Sequence, residues 1–260
     1  MDVADSFSGL PLQCTHGYKL RIVGAPESNL DDYYVSFVAS DTGVVGITSG
    51  VWQECLGSQE YDGVDILNTR MPHILQPVIS GPGTVYNAYQ LTEATWGVRE
   101  AGDDATNPLP DFVGKGINDI FFFQSRIGFL SGNTITMTGT NDPYQFFRTT
   151  ASQLLPTDRL AIESNVNGHV RLNYAVPFSN QMVIFADRNQ FIINYGPEGL
   201  APGATSLTNI ANYEVANQVK PVALDNSIVF LQQKAGATDV YELYPTGSSA
   251  TSFEAQSIAE

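Results

Sequence analysis

Apolar and polar residues alternate in short runs along most of this chain, the period-two pattern of half-buried β-strands. "YKLRIVG" (18–24) and "DDYYVSFVAS" (31–40) show it, and "SDTGVVGITSGVWQECLG" (40–57) returns through glycines to Trp52. "RMPHILQPVIS" (70–80) and "GTVYNAYQL" (83–91) read as further strands, with Pro72 and Pro77 directing the former to a sheet edge or an irregular extended piece. Helical periodicity is scarce. "TTASQLLPTD" (149–158) holds at most one turn before Pro156, and the polar C-terminal "TGSSATSFEAQSIAE" reads as loose.

The stretch "WGVREAGDDATNPLPDFVGKG" (96–116) interrupts the alternation. Pro108 and Pro110 remove backbone donors and hold their predecessors extended, so no helix crosses here. Gly114 and Gly116 then free the backbone ahead of the next strand. This places a boundary between about residues 108 and 116, and divides the chain into a β-rich, platform-like domain (1–110) and a second domain (111–260). In the second domain a strand–turn–strand unit recurs: "FFFQSRIGFLSGNTITMTG" (121–139), "NQMVIFADRNQFIINYG" (180–196) and "NSIVFLQQKAGATDVYELYP" (226–245). Phe129, Ile184 and Phe230 occupy matching positions, and this loose spacing predicts blade-like hairpins of a partial β-propeller-like domain. The expected fold class is therefore mainly β. Phe121, Phe122 and Phe123 alternate sides on one strand, which predicts that both its faces are covered, one of them by the first domain or a neighbouring subunit.

Composition agrees with strands and turns: 11% aromatic residues, 23 Gly and 14 Pro. The charge balance adds more. With 27 acidic against 12 basic residues the chain carries a net −15, and residues 1–110 hold 14 of the acids and only 4 of the bases. Phosphate recognition needs clustered Lys and Arg, so a tight nucleic-acid reader is disfavoured. An acidic surface suits either simple solubility or a surface that must not hold a polyanion, such as the wall of a nucleic-acid conduit. Cys14 and Cys55 are too few for a disulfide framework and read as thiols made in a reducing cytoplasm. No apolar run is long enough for a membrane-spanning helix, and the N-terminus lacks the basic start and apolar centre of a signal peptide.

Motifs for chemistry are missing. His16, His73 and His169 are far apart, with no paired Cys or His at zinc spacing, so no metal is expected. Glycine-rich nucleotide loops and the hydrolase nucleophile elbow do not occur, so no cofactor is expected either. Glu100, Asp103 and Asp104 beside Trp96 could suggest a glycosidase. Adjacent residues of an extended chain point to opposite sides, however, and Asp and Asn commonly fix turns. The expected role is structural, with Arg99 pairing to Asp103 or Asp104. Trp52 and Trp96 read as packing residues before they read as sugar platforms.

Several segments together resemble the tail tubular protein B, or tail nozzle, family of short-tailed bacteriophages. "DYYVSF" with "SGVWQEC" brings Trp52 and Glu54, and "RMPHILQ" brings Met71, Pro72 and His73. The long block "WGVREAGDDATNPLPDFVGKGINDIFFFQSRIGFLSG" (96–132) is the most specific part. It carries Trp96, Arg99, Gly102, Asp103, Asn107, Pro108, Pro110, Phe112 and Arg126 as structural motif positions. "NDPYQFFR", "VPFSNQMVIFADRNQFII" and "VKPVALDNSIVFLQQ" follow in family order, whereas "TDRLAI" (157–162) departs from an acidic run in many members. Family chains are several times longer. The resemblance implies a non-enzymatic virion component made in the bacterial host cytoplasm and built into the phage tail. It implies a homo-oligomer, a hexamer, joined to a tail adaptor ring and tail fibres, with double-stranded DNA passing through its lumen. The competing expectations are a glycan-binding module of the tail, which needs exposed Trp52 or Trp96, and a polysaccharide-degrading enzyme, which needs Glu100 or Asp103 free to react.

Overall fold

Strands form nearly all the regular structure in the computed structural model, which describes residues 1–24, 32–57, 71–79, 86–166, 170–234, 236–246 and 252–258. His169, Arg70, residues 80–85 and Ala235 of the third expected turn lie outside that set. Among the described residues no helix is long and apolar enough to cross a membrane. The chain forms two units, Met1–Leu109 with Tyr144–Leu155, and Pro110–Pro143 with Pro156–Glu260. The first unit thus takes back a short segment that a single cut near residue 110 assigns to the second.

In the first unit β1 (Asp2–Ala4), β3 (Lys19–Ile22), β4 (Tyr33–Ala39), β5 (Ile47–Cys55) and β2 (Gln13–Thr15) make one sheet in that order. Only the β1–β3 pair is parallel. Alternation sorts the faces as the sequence pattern predicts. Leu20, Ile22, Val35, Phe37 and Ala39 are buried, while Ile47, Ser49, Val51 and Gln53 turn outward. Each fully buried large apolar side chain contributes about 1.5–3 kcal/mol over leaving it in water. A separate two-stranded hairpin joins β6 (His73–Ile79) to β7 (Tyr86–Glu93), with Pro77 opposite Tyr89.

The second unit contains three four-stranded antiparallel meanders. The first is β8 (Asp119–Phe123), β9 (Arg126–Ser131), β10 (Thr134–Met137) and β11 (Leu160–Glu163). The second is β12 (Leu172–Phe178), β13 (Gln181–Ala186), β14 (Gln190–Asn194) and β15 (Ser206–Ala211). The third is β16 (Val222–Ala223), β17 (Ile228–Lys234), β18 (Ala237–Pro245) and β19 (Phe253–Ser257). Leu130, Ile135 and Met137 of the first sheet share a core with Ala175, Met182, Ile184 and Phe191 of the second. The opposite face of the second sheet, with Val176, Val183 and Phe185, joins Ile228, Phe230, Leu243 and Phe253 of the third. A sheet covered on both sides needs apolar residues at successive positions, which is why "MVIFA" in β13 runs apolar without alternation.

Residues 149–158 contain bends and turns but no helix. The C-terminal segment is ordered through Phe253–Ser257, which pairs with β18 and buries Phe253. On β8, Phe121 is buried and Phe122 is 68% exposed, so the chain's own core covers one face of the strand. Gly128 explains how Phe121 fits: a Cβ there would lie 2.2 Å from the Phe121 ring, so only glycine leaves room for it.

Candidate functional site

Residues 96–109 fold into a loop whose polar groups answer one another. Gly102 begins it at φ +77, with its N–H donating to the Cys55 carbonyl (3.2 Å) and its carbonyl accepting from Gly57 N–H (3.0 Å). A Cβ at this position would meet Thr106 Oγ1 at 2.6 Å and Ala151 Cβ at 2.9 Å, so both backbone and space require glycine. Asp103 then fixes the turn. Its Oδ1 accepts from Ala105 N–H (2.9 Å), Thr106 N–H (3.0 Å) and the Thr106 hydroxyl (3.2 Å). Its Oδ2 accepts from the Tyr34 hydroxyl at 2.9 Å.

These bonds set the electrostatics. Burial alone would raise the Asp103 carboxyl, yet the bonds from Thr106, Tyr34 and Ala105 prevail and hold it below the ordinary carboxylate range. Tyr34 moves the other way, pushed up to about 12 by burial and by its bond to the Asp103 carboxylate. A general acid needs the reverse shift at its carboxyl, so the Asp103 carboxylate is unsuited to that role.

Arg99 and Asn107 complete the loop. Arg99 is buried and donates through Nη1 to Asp104 Oδ1 (2.8 Å) and to the Asn107 carbonyl (3.0 Å), so its acidic partner is Asp104. Asn107, fully buried, donates to the carbonyls of Ala101 (3.0 Å) and Arg148 (3.2 Å) and accepts from Arg148 N–H (3.0 Å). The returning segment 144–155 supplies the other half. Trp96 is buried, tilted against Phe146 at 5.6 Å and edge-on to Tyr144 at 5.5 Å. Gln145 Oε1 accepts from Phe147 N–H, and Gly97 N–H donates to the Tyr144 carbonyl, both at 2.9 Å. Glu54 at the end of β5 accepts from Ala151 N–H at 2.5 Å and from the Thr150 hydroxyl.

The remaining motif residues sit elsewhere. Trp52 is half-buried, edge-on to Phe37 at 5.2 Å, with its indole N–H on the Pro11 carbonyl. Met71 is buried and its carbonyl bonds the ring of exposed His73, while Pro72 between them is half-buried at the start of β6. Pro108 is half-buried in the first unit, and Pro110 is buried at the start of the second. Phe112 lies edge-on to Phe129 at 5.1 Å. Arg126 is buried in the second unit, where it gathers four carbonyls: Thr138 and Asp158 at 2.6 Å, Pro156 at 2.8 Å and Leu200 at 3.3 Å. Burial lowers its pKa, offset in part by Asp158, but the guanidinium stays charged.

The loop therefore unites Trp96, Arg99, Gly102, Asp103 and Asn107, joins Glu54 to them through segment 144–155, and leaves Trp52 and the Met71–His73 group apart. Tyr34, Gln145, Arg148 and Thr150 had no signal as partners, since Asn107 reaches Arg148 across 41 positions and Asp103 reaches Tyr34 across 69. A cavity of about 450 Å³ nearby is lined by residues including Lys19, Cys55, Arg99 and Glu100. Burial pushes the Cys55 thiol up, which suppresses the thiolate a nucleophile needs. Among the described residues no group of three His, Cys, Asp or Glu gathers where a metal could sit.

Comparison with known proteins agrees with this structural reading. The tail tubular protein gp12 of Escherichia phage T7 is 31% identical over 241 residues, which is 93% of this chain and 28% of that protein. The chain thus spans little more than a quarter of the length of this relative. A family model described as bacteriophage nozzle protein matches residues 1–260. With that match over its full length, the chain belongs to the bacteriophage nozzle protein family.

Proposed function

We propose that this chain is a structural, non-catalytic part of a phage tail nozzle, present in the virion as a ring that continues the DNA ejection conduit. The family match over residues 1–260 carries this reading. The site chemistry supports it, because the motif residues hold one another and the backbone rather than an open reaction centre. Asp103 accepts four hydrogen bonds, and Trp96 is buried against Phe146. The net charge of −15 suits a wall that repels DNA phosphates while they pass. The three meanders are read as neighbouring blades of a propeller-like ring completed by other sequence. Six copies, an adaptor ring above and fibres at the side form the proposed setting. Host cells making phage without this chain test the role: particles with heads but defective tails are expected, and normal infectious tails would refute it. Imaging the purified chain with its tail adaptor tests the ring, for which six-fold rings or a defined co-complex are expected.

A further inference from the structure

Two apolar surfaces of the first unit lie open among the described residues. One is the β6–β7 hairpin. Its register pairs Leu75 with Leu91 and Pro77 with Tyr89, so these side chains share a face, and Leu75, Leu91 and Tyr89 are 64%, 65% and 71% exposed. A two-stranded ribbon has no second layer to hold it and is at best marginally stable alone. The other surface is the outward side of β5 beside the edge strand β2. Ile47 is 75% exposed and Val51 57%.

The chain segments that form both surfaces carry no charged residue in an acidic chain. Residues 71–92 contain no Lys, Arg, Asp or Glu, and neither do residues 42–53 or 6–18, although such residues make up 15% of the sequence. Copies of a chain with net charge −15 repel one another wherever acids face acids. Uncharged apolar surfaces are where two copies can approach, and exposed apolar patches mark such contacts. We propose that the β6–β7 hairpin of one copy lays its Leu75–Tyr89–Leu91 face on the Ile47–Val51 surface of the next copy. The two surfaces differ, so the contact is head-to-tail and propagates around a ring. This rests on the tail-assembly reading and adds the surfaces that join neighbours.

The test uses the full chain, with molar mass from light scattering and fold from circular dichroism. The parent is expected to associate, more strongly as salt screens its charge. Leu91→Lys and Val51→Glu are each expected to fall to monomer mass with parental spectra. The double variant, which sets Lys against Glu across the contact, is expected to recover association. Leu75→Glu with Ile47→Lys is a second pair should a single variant not fold. A parent that remains monomeric overturns the proposal, as do single variants that keep the parental mass. Loss of association in hairpin variants alone overturns the head-to-tail pairing. Phage carrying the single variants separate the two readings: normal tails reject this interface and leave the tail role intact.

Discussion

Asn107 commits its whole side-chain amide to three backbone groups, so the cost of losing it can be stated. Asn107→Ala leaves the carbonyls of Ala101 and Arg148 and the Arg148 N–H without this partner. Unmet buried groups cost about 1–3 kcal/mol each, so a loss of about 3 kcal/mol is expected in urea unfolding. Tyr34 gives a pH signature. Its folded pKa of about 12 exceeds the ordinary 10.0, so the folded state binds that proton more tightly. The associated stability is present below pH 10 and is lost as pH rises towards about 12. Unfolding profiles of the parent should fall more steeply than those of Tyr34→Phe in that window. At this scale the sequence revealed that Arg99 would pair with a neighbouring acid and that Asp103 would fix a turn. It left open which acid Arg99 takes, because both follow within five positions. The partners across 41 and 69 positions depend on the fold.

Among the described residues, the hairpin strands and turns differ in how plainly the sequence marks them. Phe129, Ile184 and Phe230, aligned by spacing, fall on β9, β13 and β17, the second strand of each meander. Flanking strands such as β11, β15 and β19 were hidden because they are short or polar and take their order from the neighbour they pair with. The turn between β8 and β9 was hidden for a different reason. Gln124 and Ser125 both adopt positive φ, 46° and 60°, where hairpins ordinarily place Asn-Gly. Left-handed backbone costs a non-glycine residue roughly 1–2 kcal/mol. Ser125→Gly relieves it while leaving Gln124 Oε1 on Leu200 N–H. Thermal unfolding should shift upward by about 1 kcal/mol, a few degrees for a chain of this size, and an unchanged or lower midpoint would falsify the strain assignment.

For the molecule as a whole, the block at 96–132 made the family legible, and within it Gly102, Asp103 and Asn107 serve one loop. The path of the chain was not legible. Tyr144–Leu155 belongs to the first unit although its neighbours on both sides belong to the second. No composition change marks that return, which follows from Phe146 stacking on Trp96 and Arg148 bonding Asn107. A fragment ending at residue 110 therefore loses the cover of its own Trp96. Made alone, it should expose that indole, giving red-shifted fluorescence and rapid proteolysis compared with the full chain.

The same return has a mechanical consequence. Main chain passes between the two units three times, after Leu109, Pro143 and Leu155. Force that separates them is carried by three covalent strands in parallel, and no single backbone cut releases one from the other. Phe146 on Trp96 and Arg148 with Asn107 hold the returning segment within the first unit. Drawing Tyr144–Leu155 out of the first unit then breaks a buried ring contact and a buried amide, where a flexible tether would offer nothing to break.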